Sequence, residues 1–216
     1  GGVGKTTLAS LIPRFYDATA GTVLVDGVDV RAYTFDALYN KLGYVTQKAV
    51  LFSGTVEDNV FFGQSAAEKT DASLQAALSL SQAAEFVDKY PEKAAHPIAQ
   101  LGRNVSGGQK QRLSIARALA RTPEILIFDD SFSALDYKTD ATLREGLAKQ
   151  LPGTTKIIVA QRISTIRHAD QILVLDRGEI AGLGTHDALM ASCTVYREIA
   201  MSQLSEEELK KGGASK

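Results

Sequence analysis

Residues 104–112, which read Asn-Val-Ser-Gly-Gly-Gln-Lys-Gln-Arg, constrain this chain more than any other segment. Ser106 is of a residue type that caps helix N-termini, so we predict that a helix begins directly after it. The two glycines leave the backbone bare there, where free N–H groups and the helix dipole favour an anion. Leu113, Ala116 and Ala120 follow at i, i+3 and i+7 and predict one apolar helix face. A bare helix start that presents a hydroxyl suits contact with a nucleotide γ-phosphate.

The chain begins inside a second phosphate-binding pattern. Its first seven residues match the end of G-x-x-x-x-G-K-[ST], without the first glycine and the residue after it. In this pattern glycine amides wrap the phosphates, a lysine reaches the β- and γ-oxygens, and a hydroxyl is offered to Mg²⁺. We therefore expect the chain to be a fragment. The residues expected to bind nucleotide here are Gly1, Gly2, Val3, Gly4, Lys5, Thr6 and Thr7.

Composition indicates one soluble α/β domain. A chain of 216 residues with 44% hydrophobic residues is long enough to bury a sizeable core. The net charge of −1 shows no bias towards polyanions, so we expect no nucleic-acid partner. A single cysteine, Cys193, excludes a disulfide framework. No stretch approaches the ~20 apolar residues of a membrane span.

The order of elements along the chain predicts an α/β body with a helical insertion. Asp26-Gly27 indicates a hairpin within 23–30, followed by a helix over 35–41 and a strand over 42–46. Helical spacing predicts three short helices over 55–62, 71–80 and 83–90. Continuous apolar runs at 125–128, 157–160 and 172–175 are typical of strands buried on both faces. We expect a core over 1–48 and 121–204, a helical subdomain over 49–120, and a disordered tail over 205–216.

Taken together, these motifs resemble those of the ATP-binding cassette (ABC) ATPases. In that family the signature motif corresponds here to Val105, Ser106, Gly107, Gly108 and Gln109. The resemblance implies a P-loop NTPase core of RecA-like α/β type, with an inserted α-helical subdomain and an antiparallel β portion that is truncated here. It implies ATP as substrate, with Mg²⁺ held by Thr6, Gln47 and Asp129.

The resemblance also implies two domains packed head to tail. Nucleotide would lie between them, with each phosphate loop facing the other domain's signature motif. The loop that crosses between the subunits corresponds here to Ser133, Ala134, Leu135 and Asp136.

Two positions depart from most family members. Asp130 stands where a glutamate serves as general base, and Gln161 stands where a histidine contacts the γ-phosphate. The aspartate is one methylene shorter, and ~1 Å of misplacement costs on the order of 100-fold in rate. Glutamine can hydrogen-bond a phosphate oxygen but lacks the titratable donor of histidine. We therefore expect this site to bind ATP and to hydrolyse it poorly.

The resemblance extends to bacterial multidrug-type exporters. Residues 51–56 and the short C-terminus resemble exporter cassettes, and 97–100 resemble those of heterodimeric exporters with one degenerate site. This implies a second half-transporter as partner, a membrane domain upstream of Gly1, and a location on the cytoplasmic face of the cell membrane. We expect the loop over 48–54 to meet that membrane domain, because its apolar residues lack an obvious core partner.

Other classes of ABC protein remain as alternatives. The first is an importer ATPase subunit, and the second a soluble ABC ATPase of DNA repair or translation. A repair ATPase would insert a long coiled coil between Lys5 and Ser106, and that segment shows no heptads. The transported substrate cannot be inferred from these residues.

Overall fold

The computed structural model describes the backbone of residues 4–212 and the side chains of residues 4–204. The chain divides into two compact units, of which one is residues 9–159 and the other comprises 1–8 and 160–216. The strands of the described residues are β1 (Leu24–Val25), β2 (Val28–Asp29), β3 (Leu42–Val45), β4 (Gly54–Thr55), β5 (Pro97–Ile98), β6 (Ile125–Asp129), β7 (Thr155–Val159), β8 (Ile172–Asp176) and β9 (Glu179–Gly184). The α-helices are α1 (Lys5–Ser10), α2 (Phe35–Lys41), α3 (Val56–Val60), α4 (Asp71–Leu80), α5 (Ala84–Val87), α6 (Gly107–Ala120), α7 (Tyr137–Gln150), α8 (Ile163–Ile166), α9 (His186–Ser192) and α10 (Thr194–Gly212).

A parallel sheet of order β3-β6-β7 forms the centre of the 9–159 unit. This confirms the predicted α/β fold. The central strand β6 is buried over 126–129, as a continuous apolar run predicts. The prediction for the run at 157–160 is wrong in its burial, because Ile157, Ile158 and Val159 are only partly buried. Among the described residues β7 pairs with β6 alone, so its other edge has no strand beside it.

Local signals at the start of the same unit are confirmed. β1 and β2 pair around Asp26 and Gly27, whose φ values of 52° and 76° suit a two-residue hairpin turn. Helix α2 has the predicted bounds and is capped by Thr34, whose side chain accepts the N–H of Ala37. Helix α1, which follows the phosphate loop, is short, because the chain turns after Ser10.

Helices dominate the segment from 56 to 120. The three predicted short helices are present as α3, α4 and α5, and α6 packs against α3 and α4. On α6 the predicted apolar face is confirmed, since Leu113 and Ala116 are fully buried. Leu51, expected to lack a core partner, is instead buried in this core, whereas Phe52 beside it is exposed.

The second unit is built on the β8–β9 hairpin and helices α8 to α10. Ile172 and Val174 pack with residues of α9 and α10, including Leu189 and Tyr196. The backbone of 205–212 continues α10. The Glu, Leu and Lys residues of that segment are good helix formers. Residues 213–216 lie outside the described range. Within the part of the chain that the structure describes, none of the helices has both the length and the hydropathy of a membrane span.

Candidate nucleotide-binding site

Two carboxylates lie at the carboxyl end of β6. Asp129 is the last residue of the strand and is buried, while Asp130 begins the turn after it. The backbone of Asp130 has φ of 50°, a left-handed conformation that aspartate tolerates better than most residues. Its N–H donates to the carbonyl of Val159 at 2.8 Å, and its carbonyl accepts the hydroxyl of Ser133 at 2.9 Å. The turn that presents both carboxylates is therefore held by one bond between backbone groups and one bond from a side-chain hydroxyl.

Gln47 lies at the same edge of the sheet, because β3 and β6 are parallel neighbours. Its Nε2 donates to Oδ2 of Asp130 at 2.9 Å, so the structure brings these two predicted residues together. Two buried side chains fix the backbone just before it. Ser131 donates to the carbonyl of Val45 at 2.7 Å, and Gln111 donates to that of Thr46 at 3.2 Å. Sequence reasoning missed both, since their bonds depend on tertiary packing.

Tyr44 was also missed, because a tyrosine within an apolar strand indicates core packing. Its phenol donates to Oδ2 of Asp129 at 3.2 Å. Burial raises the pKa of Tyr44 well above its ordinary value. The negative charge of Asp129 and the hydrogen bond to Asp129 raise it further. The phenol is therefore protonated at neutral pH. The signal that would have found Tyr44 is a tyrosine on a strand whose neighbouring strand ends in a carboxylate.

The phosphate-loop pattern is described from Gly4 onward, and Gly1, Gly2 and Val3 lie outside the described residues. Gly4 has φ of 100°, a conformation that favours glycine. Its carbonyl accepts the N–H of Leu8 at 2.8 Å, so α1 starts directly after it. Lys5 is partly exposed, and Thr6 and Thr7 are exposed.

The signature segment has the predicted helix start. Ser106 is the N-cap of α6, and its hydroxyl accepts the N–H of Gln109 at 3.2 Å. In return the Gln109 side chain accepts the N–H of Ser106 at 3.0 Å, which completes a capping box. Ser106 and Gly107 are exposed, Gly108 and Gln109 are partly exposed, and Val105 anchors the turn in the core.

The segment 133–136 lies beside this helix start. A Cβ on Gly108 would meet the carbonyl oxygen of Ala134 at 3.3 Å, so glycine permits the close approach of the two backbones. Ser133 and Ala134 are exposed and Leu135 is buried. Asp136 caps α7, and its hydrogen bonds from the backbone and hydroxyl of Thr139 lower its pKa.

Gln161 belongs to the other unit and has an exposed side chain. The backbone carbonyl oxygen of Gln161 accepts a hydrogen bond from Nε2 of Gln203, a residue of α10. The carbonyl oxygen of the same Gln203 side chain accepts the N–H of Ile163 at 2.8 Å. One glutamine therefore holds the backbone on both sides of residue 162. The sequence carries no local signal for this contact, because the residues lie about 40 positions apart.

The family of this chain follows from comparison with known proteins. A model of the ABC transporter family matches residues 1–133. An ABC transporter ATP-binding protein of Mycobacterium bovis is 48% identical over 203 residues, which cover 94% of this chain and 34% of that protein. An ATP-dependent lipid A-core flippase of Syntrophus aciditrophicus is 41% identical over 208 residues, covering 96% of this chain and 34% of that protein.

A solved structure gives the same result. The structure of a bacterial Atm1-family ABC exporter with ATP bound superposes with a TM-score of 0.88 at 37% identity, covering 93% of this chain and 35% of that one. The fold thus defines a domain of P-loop NTPase type. The chain belongs to the ABC transporter family, and this membership implies nucleotide binding. It spans about a third of the length of the curated relatives that it matches.

Proposed function

We propose that this chain binds ATP with Mg²⁺ and hydrolyses it to power export of a substrate across a membrane. The observation that carries this proposal is the meeting of Gln47, Asp129 and Asp130 at the carboxyl ends of two parallel strands. Ligands of open α/β sheets bind at that edge. Lys5 would neutralise phosphate charge, as a P-loop lysine does.

The residues assigned to the metal have donor atoms that fit Mg²⁺. The Thr6 hydroxyl, the Gln47 amide oxygen and the Asp129 carboxylate are hard oxygen donors. A carboxylate only accepts hydrogen bonds, so Gln47 turns its nitrogen to Asp130 and its carbonyl oxygen away from it. In the described part of the chain no group of three or more His, Cys, Asp or Glu side chains could hold a metal ion. When bound, Mg²⁺ neutralises charge that develops on the phosphates.

We infer that hydrolysis at this chain's own site is slow. The carboxylate of Asp130 is one methylene shorter than a glutamate, accepts a hydrogen bond from Gln47 and stands on a turn held by Val159. Such a carboxylate is poorly placed to reach an attacking water, and general-base help is worth roughly 10²–10⁴ in rate. Gln161 in place of a histidine weakens the site further, because it lacks a titratable donor.

We assign the signature residues to a second site. Ser106, Gly107, Gly108 and Gln109 would contact the nucleotide bound by the phosphate loop of a second half-transporter. The exposure of Ser106 and Gly107 supports this assignment. Residues 133–136 would cross to the same partner, whose own site would carry the glutamate and histidine absent here. The pair would then be an asymmetric heterodimer.

Export is favoured by the relatives, which include a flippase and an exporter. The remaining two thirds of the whole protein would include its membrane domain, with this domain on the cytoplasmic face of the membrane. Phe52 and Phe62 stack at 4.6 Å, both are exposed, and Arg117 lies 5.3 Å from the Phe52 ring. We assign this aromatic pair to contact with the membrane domain.

The experiment compares two substitutions in the full-length protein, reconstituted in lipid with its partner. Asp130→Asn should leave most of the steady-state ATPase, since the partner's site does the hydrolysis. Ser106→Arg should lower it by about 100-fold, because it drives a bulky cation into the γ-phosphate contact of that site. If Asp130→Asn stops turnover as completely as Ser106→Arg, Asp130 is a working base and the asymmetric assignment is wrong.

Thr70→Arg is the matched control for Ser106→Arg. Thr70 is the N-cap of α4 and forms the same kind of capping box, with Ser73. The control therefore removes an N-cap and adds the same side chain away from the nucleotide. We expect its ATPase to stay near the wild-type value.

A further inference from the structure

The phenol of Tyr44 contacts the buried carboxylate at the end of β6. Its Oη lies 3.2 Å from Oδ2 of Asp129, and the Tyr44 side chain is partly buried. The ring packs edge-on against Phe15, with ring centroids 5.1 Å apart. This ring contact favours the observed position of the tyrosine, which places the hydroxyl at the carboxylate.

The strand register explains why Tyr44 can reach Asp129. Tyr44 pairs with Ile127, and Asp129 is two residues further along β6, so all three side chains lie on one face of the sheet. Two residues of a strand span about 6.6 Å, which is close to the length of a tyrosine side chain. A shorter polar residue at position 44 would not bridge this distance.

A hydrogen bond of this kind orients a carboxylate. A carboxylate has two oxygens and about four acceptor positions, so a bond at Oδ2 sets the plane of the group and still permits a bond to metal-bound water. Groups that hydrogen-bond to metal ligands orient those ligands, and they change the affinity for the metal without touching it.

We propose that Tyr44 is a positioning residue, whose phenol holds the Asp129 carboxylate in the orientation that receives the hydration shell of Mg²⁺. This inference rests on the proposed function, which places Asp129 at the metal. Tyr44 itself contacts neither metal nor nucleotide in this assignment. Its loss should therefore change the need for Mg²⁺ more than the affinity for nucleotide at saturating Mg²⁺.

The test uses Tyr44→Phe in the full-length protein in lipid. An azido derivative of ATP is cross-linked to the protein over a range of Mg²⁺ concentrations, and the label is read on this polypeptide after separation from any partner. We expect the Mg²⁺ concentration for half-maximal labelling to rise about tenfold, the lower end of the effect of such supporting groups. Labelling at saturating Mg²⁺ should stay near the wild-type level.

Tyr33→Phe is the matched control. Tyr33 is also partly buried and its phenol donates to the carbonyl of Val25 at 2.9 Å, so the control removes the same group from a structural bond away from Asp129. If the two variants have the same Mg²⁺ midpoint, Tyr44 does not position Asp129 and the inference is overturned.

Asp129→Asn separates failure of this inference from failure of the proposed function. If Asp129→Asn leaves the Mg²⁺ midpoint unchanged, Asp129 is not at the metal and both fail. If it raises the midpoint while Tyr44→Phe does not, only the role of Tyr44 fails. The double variant excludes an indirect effect of packing: a shift that acts through Asp129 adds nothing to Asp129→Asn, whereas an independent one adds to it.

Discussion

Strands β6 and β7 are neighbours with similar apolar sequences and different surroundings. β6 is buried over 126–129, whereas the apolar residues of β7 are only partly buried. Both faces and both edges of β6 are covered, and hydrogen bonds hold the turn after it. The comparison teaches that the two carboxylates of the candidate site, Asp129 and Asp130, lie at the end of the better-supported strand, which suits groups whose position must be kept within a fraction of an ångström.

The largest expected effect is a loss of stability, and it tests the difference in burial between β6 and β7. Ile127 of β6 and Ile157 of β7 pair side by side in the sheet, and Ile127 is fully buried while Ile157 is not. Ile127→Ala should lower the free energy of unfolding by about 4 kcal/mol and Ile157→Ala by about 2 kcal/mol, because a smaller cavity forms where the side chain is partly exposed. Urea unfolding followed by circular dichroism measures both. Equal losses would mean that the two strands are equally well packed.

The second prediction concerns the helices that follow the two strands. Asp136 caps α7 with a side-chain bond, whereas Arg162 precedes α8 without one. Asp136→Ala should lower the urea midpoint at neutral pH, and Arg162→Ala should change it less. An unchanged urea midpoint in Asp136→Ala would show that the cap of α7 contributes little.

The pH dependence of the Asp136 effect has a definite sign. Hydrogen bonds from Thr139 lower the pKa of Asp136 below its ordinary value of 3.8. Its stabilisation is therefore fully present above pH 3.8 and is lost as the pH falls through the lower folded-state pKa. The difference between wild type and Asp136→Ala should shrink over that acidic window, and a difference that grows there would contradict the assignment.

The smallest expected effect is at the segment after β7. Gln203→Leu removes the two hydrogen bonds that the side chain makes around residue 162. Hydrogen exchange at the amide of Ile163 should become about fivefold faster, the equivalent of a bond of about 1 kcal/mol, with little change in the unfolding midpoint. Gln150→Leu, an exposed substitution at the end of α7, is the control. Unchanged exchange at Ile163 would show that Gln203 does not hold this segment.

Much of the candidate site was predictable because its residues lie at the ends of strands that can be recognised in the sequence. Asp129 ends one strand and Gln47 lies two residues after another, and the parallel sheet brings strand ends to one edge. Burial in β7 was not predictable, because an apolar run does not reveal whether a neighbour covers its second edge. Ser131 and Gln111 were missed for a related reason, since their partners are carbonyl groups at the end of β3, which is distant in the chain.

The sequence by itself determined the features whose partners lie within a few residues. The capping box of Ser106 and Gln109 spans three positions, and the Asp26-Gly27 turn spans two, so local geometry suffices for both. The tertiary structure alone decided which side chains meet the two carboxylates. Tyr44 and Asp129 are 85 positions apart, and Gln47 and Asp130 are 83 apart. Their bonds exist only because two strands distant in the chain pair in one register, and no local pattern of residues encodes that register.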